Sequence, residues 1–527
     1  MKGAHTVKEI QIKNFRSLKD TGLQKVTPIT LLVGENSSGK SSFLRSFPLL
    51  KQSISRRTAG PILWAGDADD YVDFGSFEET VTNDKSDNIV FRFRFETEIL
   101  GRFGRFMGRS LLTEEKNENT LKSEIDYQIF IKSDNGKDYV SRFAISINNT
   151  QYDFNLLENK IIVNGRALQN DIELIEDAVS PKQRFHSTVY EAYSRSFGFT
   201  LPSIRSLWNK IYEFFPADEQ GARDTFAIHQ AINAIGFQLS LDNSLEYSHH
   251  FNRGGAIELY QDLCSKIQSE ETLQDIIRTC YLYSVFSEID EYIELYYRQV
   301  HYIAPLRATA ERYYRLRNFA VDEVDFQGKN LAVFINSLSE KQLRDFNKWT
   351  QNHFGFYVST DKSKGHLSLL IKVKDSPKAI NLSDTGFGYS QVLPIITQLW
   401  VLSTKARDKN SLFYDVDADM PVVVAIEQPE LHLHPAVQAK LAKAFIASIE
   451  LAKKNGYQLR ILLETHSETI INYLGREIAR GKLNKEDVSV ILFEKENYAS
   501  FTSVRNSGYD QDGFLENWPY GFFAAEE

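Results

Sequence analysis

Residues 29–41, Ile29-Thr30-Leu31-Leu32-Val33-Gly34-Glu35-Asn36-Ser37-Ser38-Gly39-Lys40-Ser41, decide the fold. The first five form a short, nearly continuous apolar run, which suits a strand buried on both faces of a mixed or parallel sheet. Residues 34–41 satisfy GxxxxGK[ST] in full, and residues 40–54 carry a helical pattern. In such a strand–loop–helix the glycines let the backbone turn tightly and aim its N–H groups inward. Those donors and the helix N-terminus cradle phosphate oxygens. Gly34, Glu35, Asn36, Ser37, Ser38, Gly39, Lys40, Ser41 and Ser42 are therefore the expected nucleotide (ATP) cradle. Lys40 is expected to reach the β- and γ-phosphates, and the Ser41 hydroxyl to ligate Mg²⁺. A glycine-rich surface turn is the alternative reading, and the flanking strand and helix argue against it.

Residues 421–435, PVVVAIEQPELHLHP, supply the second half of such a site. A buried strand ends in Glu427, where a nucleotide-binding sheet needs an acid for Mg²⁺, directly or through water. Alone, the stretch reads equally as a strand running into a capped turn. His432 and His434 with Glu430 make a poor transition-metal set, because no third ligand is evident. A further strand over Leu459–Leu463 continues into Glu464-Thr465-His466-Ser467. His466 would stand at a strand's carboxyl end, where open α/β sheets take ligands, fit to sense a γ-phosphate or align water. Ser467 is the expected N-cap of the next helix.

The rest of the chain fits a large α/β protein. It has 527 residues, 42% hydrophobic and 25% charged, and a net charge of −9. That excludes a disordered chain and a uniformly basic DNA-coating protein, though not a local basic patch. Two cysteines, Cys264 and Cys280, make no disulfide framework and no zinc site, so the chain reads as intracellular. No signal-peptide core opens it and no run approaches the roughly 20 apolar residues of a membrane span. The expectation is a cytoplasmic protein. Period-two alternation over 88–98, 123–132 and 139–147 predicts strands. Helical spacing from Leu273 to Ile293 predicts helix. Three parts are expected: 1–165, the first part of a head with the phosphate loop and a mixed or antiparallel β lobe; 166–299, an inserted helical region; and 300–527, the rest of the head.

Together these residues resemble the ABC-type ATPase heads of the SMC/Rad50/RecF group. IKNFRSL (12–18) before GENSSGKSS is similar to that group's opening. Within it the chain is most similar to the AAA15/AAA21 single-head ATPases, through YIAPLR (302–307), DTGFGYSQVLP (384–394), IEQPELHLHP (426–435), ETHSE (464–468) and GFLENWPYGFF (513–523). The resemblance covers roughly 1–100 and 300–527 and extends to the Septu- and retron-associated anti-phage ATPases. It implies two heads sandwiching ATP, each phosphate loop facing the partner's signature segment. That segment is expected at 383–391, with Ser383, Gly386, Gly388, Ser390 and Gln391 contacting nucleotide. It departs from LSGGQ, so Gly386 aligns with either glycine of the motif. In related heads the residue after the Mg²⁺ acid is a carboxylate that orients the attacking water. Here it is Gln428, which can position water but not take its proton. Glu430 or His466 would then assist, or the head turns over slowly.

Arg and Phe interleave over 91–95 and 102–106, which suits either nucleic-acid tracking or a strand with Phe inward and Arg outward. Arg307, Arg312, Arg315 and Arg317 have spacings that allow a shared helix face. Arg16 lies near the phosphate loop by topology. The resemblance implies a switch subunit in an anti-phage assembly. No complete nuclease constellation is present, and the chain ends without room for the metal-dependent TOPRIM domain of related nucleases. The nuclease is therefore expected on another chain, an HNH protein in Septu-like systems, with a reverse transcriptase and its RNA–DNA product in retrons. The alternatives are a RecF- or Rad50-like DNA-repair clamp and an ATP-held scaffold without turnover.

Overall fold

The computed structural model describes residues 6–99 and 121–167, apart from 57, 59, 68–69, 83–86, 148–149 and 159. It also describes short pieces between 209 and 266, and residues 269–518 apart from 306, 309, 316–322, 364, 374–375, 405–419 and 496–500. Two compact units emerge. The larger comprises Ala4–Ser55, Leu63–Phe91 and Leu295–Glu527, and the other comprises Met1–Gly3, Arg56–Ile62 and Arg92–Glu294.

In the larger unit, strand β1 (Thr6–Phe15) pairs antiparallel with β2 (Leu18–Asp20) and β3 (Gln24–Lys25). Strand β4 (Ile29–Gly34) then leads through the phosphate loop into helix α1 (Lys40–Ser55), and a short helix α2 spans Phe77–Thr80. Strand β5 (Ile89–Ile99) carries the chain into the other unit. There β6 (Leu121–Asp134), β7 (Lys137–Ile147), β8 (Thr150–Asn155), β9 (Lys160–Val163) and β10 (Arg166–Ala167) pair antiparallel in sequence. Phe93 and Phe95 are fully buried, while Arg92 and Arg94 both pair with Asp126, at 2.6 and 3.1 Å. This stretch is the Phe-inward strand, its cations compensated by a neighbouring strand. Residues 102–106 and most of 166–270 lie outside the described residues. Helix α3 (Glu271–Arg298) confirms the helical spacing and returns the chain to the larger unit.

The larger unit continues with β11 (Val300–Ile303), β12 (Tyr314–Arg315), α4 (Leu331–Ser337), α5 (Glu340–Phe354), β13 (Phe356–Ser363), β14 (His366–Val373) and β15 (Ile380–Asn381). Helix α6 (Phe387–Thr404), β16 (Val422–Glu427), α7 (Pro435–Lys454), β17 (Leu459–Glu464), α8 (Glu468–Ala479), β18 (Val488–Lys495), β19 (Thr502–Tyr509) and β20 (Leu515–Glu516) follow. The main sheet has the order β11-β16-β17-β4-β18-β19-β20. Its first five strands are parallel and the last two antiparallel. Strands β4 and β17 are buried at every residue, as their largely apolar sequences suit, with Thr30, Arg460 and Glu464 the polar exceptions. Ile29, Leu31 and Val33 share one core with Val424, Ile426, Ile461, Leu463 and residues of α5 to α8. Helix α1 packs on β11, β16 and β17 yet contributes nothing to that core, so it covers the opposite face.

The basic cluster after β11 forms no shared helix face. Arg307 turns into the interior, Arg312 pairs with Asp384 at 2.5 Å, Arg315 lies in β12, and Arg317 lies outside the described residues. The pairing of β12 with β14 holds Tyr314 and Arg315 in extended backbone, and so out of a helix. Among the described residues no helix is long and apolar enough to cross a membrane.

Candidate functional site

Strands β4, β16 and β17 bring their carboxyl ends to one edge of the sheet. Glu464 is the Cα partner of both Glu427 on β16 and Leu32 on β4. The residues that open α/β sheets use for ligands therefore stand side by side.

The loop at this edge needs its glycines. A Cβ at Gly34 would drive into the Phe493 carbonyl oxygen. Gly39 has φ +91°, and a Cβ there would stand 2.6 Å from Ser17 Oγ. The Lys40 ammonium donates to the carbonyl oxygens of Gly34 (3.0 Å) and Glu35 (2.5 Å). Burial pushes Lys40 below the usual lysine range, and Glu464, Glu35 and Glu430 oppose that. Glu35, Asn36 and Ser37 are exposed, Gly39, Ser41 and Ser42 half-buried, and the Ser38 hydroxyl is buried without a protein partner among the described residues. Arg16 does not reach into this loop by any hydrogen bond seen here. Its N–H donates to the Thr80 carbonyl oxygen and its guanidinium lies 4.9 Å from the Phe74 ring centre.

Glu427 is fully engaged. Arg45 grips both carboxylate oxygens, at 2.7 and 2.8 Å, and the Tyr302 hydroxyl donates to Oε1 at 2.7 Å. The hydrogen bond to Glu427 raises Arg45, while burial foremost, then the Glu427 charge, raises Tyr302. Arg307 donates Nη2 to the Glu427 carbonyl oxygen at 3.1 Å, and its Nε and Nη1 are buried without partners among the described residues. Burial lowers Arg307 to about 10.

Glu464 differs. Its Oε1 accepts the Ser41 hydroxyl at 2.8 Å, and its Oε2 is buried with no hydrogen-bond partner among the described residues. Burial and the adjacent Glu427 charge raise it to about 7, against the pull of Ser41, Lys40 and Arg45. A hydroxyl that donates to a carboxylate keeps its lone pairs for a cation, so these groups fit a divalent ion. Among the described residues no group of three His, Cys, Asp or Glu could hold a metal ion. The chain thus supplies part of a coordination sphere that phosphate oxygens and water would complete, the arrangement Mg²⁺ favours. His432 and His434 make no such group, and His434 Nδ1 accepts the Ala436 N–H as the N-cap of α7.

Gln428 follows Glu427 with φ 40° and donates its N–H to the Glu464 carbonyl oxygen at 2.9 Å. Glu430 accepts from Thr465 Oγ1 (2.9 Å) and from the His466 N–H (2.7 Å). Burial raises Glu430, and those bonds oppose it. His466 Nε2 is buried without a partner among the described residues, and burial, then Lys40, lowers its pKa. A neutral imidazole at neutral pH can accept or donate one hydrogen bond there. Ser467 caps α8 by accepting the Ile470 N–H at 3.0 Å.

The structure thus brings together the phosphate loop, Glu427, Gln428, Glu430 and His466. The signature segment has other partners. Ser383 bonds to Asn381 at 2.9 Å and Asp384 to Arg312. Gly386 has φ +80°, α6 begins at Phe387, and Gly388 lies in its first turn. Ser390 and Gln391 are buried in that helix, whereas Ser383 and Gly386 are exposed. Tyr302 and Glu464 stand in motifs of the sequence without a role expected of them, and Arg45 in none. Two signals were available. Ser41 and Arg45 are four apart on one helix face, and β17 ends in a glutamate just as β16 does.

The model of the family described as AAA ATPase domain matches residues 6–471. No curated protein matches the chain. Among solved structures, the Smc head bound to the C-winged helix domain of ScpA is similar at 9% identity and TM-score 0.33, over 95% of this chain and 97% of that one. The SMC head domain from Thermotoga maritima is similar at 10% identity and TM-score 0.31, over 95% and 98%. Matched over most of its length, and with a phosphate loop on the central strand of a parallel sheet, the chain belongs to the AAA ATPase domain family.

Proposed function

We propose that the chain is an ATP-binding head that works as a nucleotide-dependent switch or clamp. The observation that carries this reading is the meeting of Lys40, Ser41, Glu427, Glu464 and His466 at one sheet edge. In this reading residues 34–42 cradle the phosphates and Lys40 leaves its loop carbonyls for phosphate oxygens. Mg²⁺ sits at Ser41, with Glu427 acting directly or through water. Gln428 and His466 align water, and Glu430 holds the backbone of His466 in place. A second copy supplies Ser383, Gly386, Gly388, Ser390 and Gln391. The slow turnover that a neutral Gln428 implies suits a held switch better than a motor.

The resemblance to Septu- and retron-associated ATPases supports a place in an anti-phage assembly that restrains a separate nuclease, of HNH type, and in retrons a reverse transcriptase with its RNA–DNA product. A DNA-repair clamp predicts DNA-stimulated turnover instead, and a scaffold predicts assembly with none. The test is ATP binding and turnover by the purified chain, with Lys40→Ala and Gln428→Glu alongside. Binding lost in a folded Lys40→Ala chain, and turnover raised at least about tenfold by Gln428→Glu, are expected. Unchanged nucleotide binding in Lys40→Ala would sink the reading.

A further inference from the structure

The strand next to the phosphate-loop strand is β17, not β16. The carboxylate nearest the loop in the sheet is therefore Glu464, and it is Glu464 that accepts the hydrogen bond of the Ser41 hydroxyl. Both oxygens of Glu427 are already held by Arg45, with Tyr302 added on one of them. Glu464 is 2% exposed and keeps one oxygen, Oε2, with no hydrogen-bond partner among the described residues. A buried unpartnered carboxylate oxygen beside a second carboxylate is costly unless a positive charge meets it. Lys40 offers none by hydrogen bond, because its ammonium goes to the Gly34 and Glu35 carbonyl oxygens.

We propose that Glu464, through Oε2, is the direct protein carboxylate for the divalent cation that arrives with the nucleotide, paired with the Ser41 hydroxyl. Glu427 then stays in its ion pair with Arg45 and acts on the cation through its field or an intervening water. The inference rests on the nucleotide-binding reading above and assigns the cation site within it. It also explains why the chain shows no three-ligand metal group among its described residues. One carboxylate and one hydroxyl hold the ion only when phosphate oxygens complete the sphere.

The test is the affinity of a fluorescent ATP analogue for the full chain in Mg²⁺ and in EDTA, for wild type, Glu464→Gln, Glu464→Asp and Glu427→Gln. The quantity read is the Mg²⁺ gain, the ratio of the two affinities. Glu464→Gln is expected to cut that gain about tenfold or more while leaving affinity in EDTA equal or higher. Glu427→Gln is expected to cut it less. Glu464→Asp keeps a shorter carboxylate and is expected to retain part of the gain and to favour Mn²⁺ over Mg²⁺. It decides the matter should Glu464→Gln fail to fold. A gain undiminished in whichever Glu464 variant folds, or lost as much in Glu427→Gln as in Glu464→Gln, overturns the assignment. Wild type that binds the analogue in neither condition overturns the nucleotide site itself.

Discussion

Arg45 decides how Glu427 can act. Its guanidinium spans both carboxylate oxygens, yet its side chain is 39% exposed while that of Glu427 is 2% exposed. Removing one partner of a buried pair costs about 3–5 kcal/mol, and solvent at Arg45 reduces this to about 1–3 kcal/mol. Arg45→Met should therefore lower the thermal midpoint, and adding Glu427→Gln should restore part of the loss. Strictly additive effects in that double-mutant cycle would show that the pair is not coupled. Glu464 makes its own contribution to the pH dependence of the nucleotide-free chain. Its folded pKa, about 7, lies above the ordinary 4.5, so the native fold holds this proton more tightly than the unfolded chain does. The contribution is complete below about 4.5, falls as pH rises to about 7, and is flat above that. In EDTA, Glu464→Gln should gain stability over wild type as pH rises through this window, by at most about 3 kcal/mol. A wild-type-to-variant difference that stays constant from pH 5 to 8 would contradict it.

At the scale of elements, the turn from β17 into α8 fixes the orientation of the site. Ser467 accepts the Ile470 N–H and donates to Gln438 Oε1 on α7 at 2.6 Å, so one hydroxyl caps one helix and ties it to another. Ser467→Ala removes the cap and takes the hydroxyl partner from a half-buried amide oxygen. The expected cost is about 1–2 kcal/mol, which in a unit of this size lowers the midpoint by a few degrees, about 2–6 °C. Ser467→Thr keeps both bonds and should retain most of the stability; equal losses in both variants would place the effect in packing instead. The cap was legible because Ser, Thr, Asp and Asn announce helix starts. The buried strands β4, β16 and β17 were legible too, as short, largely apolar runs between turn residues. What the sequence concealed was their lateral order. Nothing in the text of residues 421–467 says that β17 lies between β16 and β4, and only that order makes Glu464 the neighbour of Ser41. The ion pair of Glu427 with Arg45 was hidden likewise, because its partners are 382 positions apart. The arginines after β11 misled for the opposite reason: spacing suggested a helix that the strand pairing at Tyr314 and Arg315 does not allow.

For the whole molecule, the site's residues divide into two sets. The phosphate loop, Glu427, Gln428, Glu430, Glu464 and His466 share one sheet edge, whereas the exposed start of the signature segment bonds elsewhere, Ser383 to Asn381 and Asp384 to Arg312. A head that binds ATP with the first set alone leaves the α6 N-terminus for a phosphate on another copy. ATP-dependent association follows, and Gly388 is the place to test it. Gly388 lies in the first turn of α6, and a Cβ there meets no atom closer than 3.9 Å, on Leu433. An acidic side chain in a first helical turn favours the helix through its dipole, so Gly388→Asp should fold at least as firmly as wild type. The same carboxylate would face the partner's phosphates and repel them. Sedimentation in ATP and Mg²⁺ should therefore show wild type as a dimer, Lys40→Ala as a monomer, and Gly388→Asp as a monomer that still binds ATP at each head. A Gly388→Asp chain that dimerises with ATP as well as wild type does would remove the signature segment from the interface, and the two-head sandwich with it.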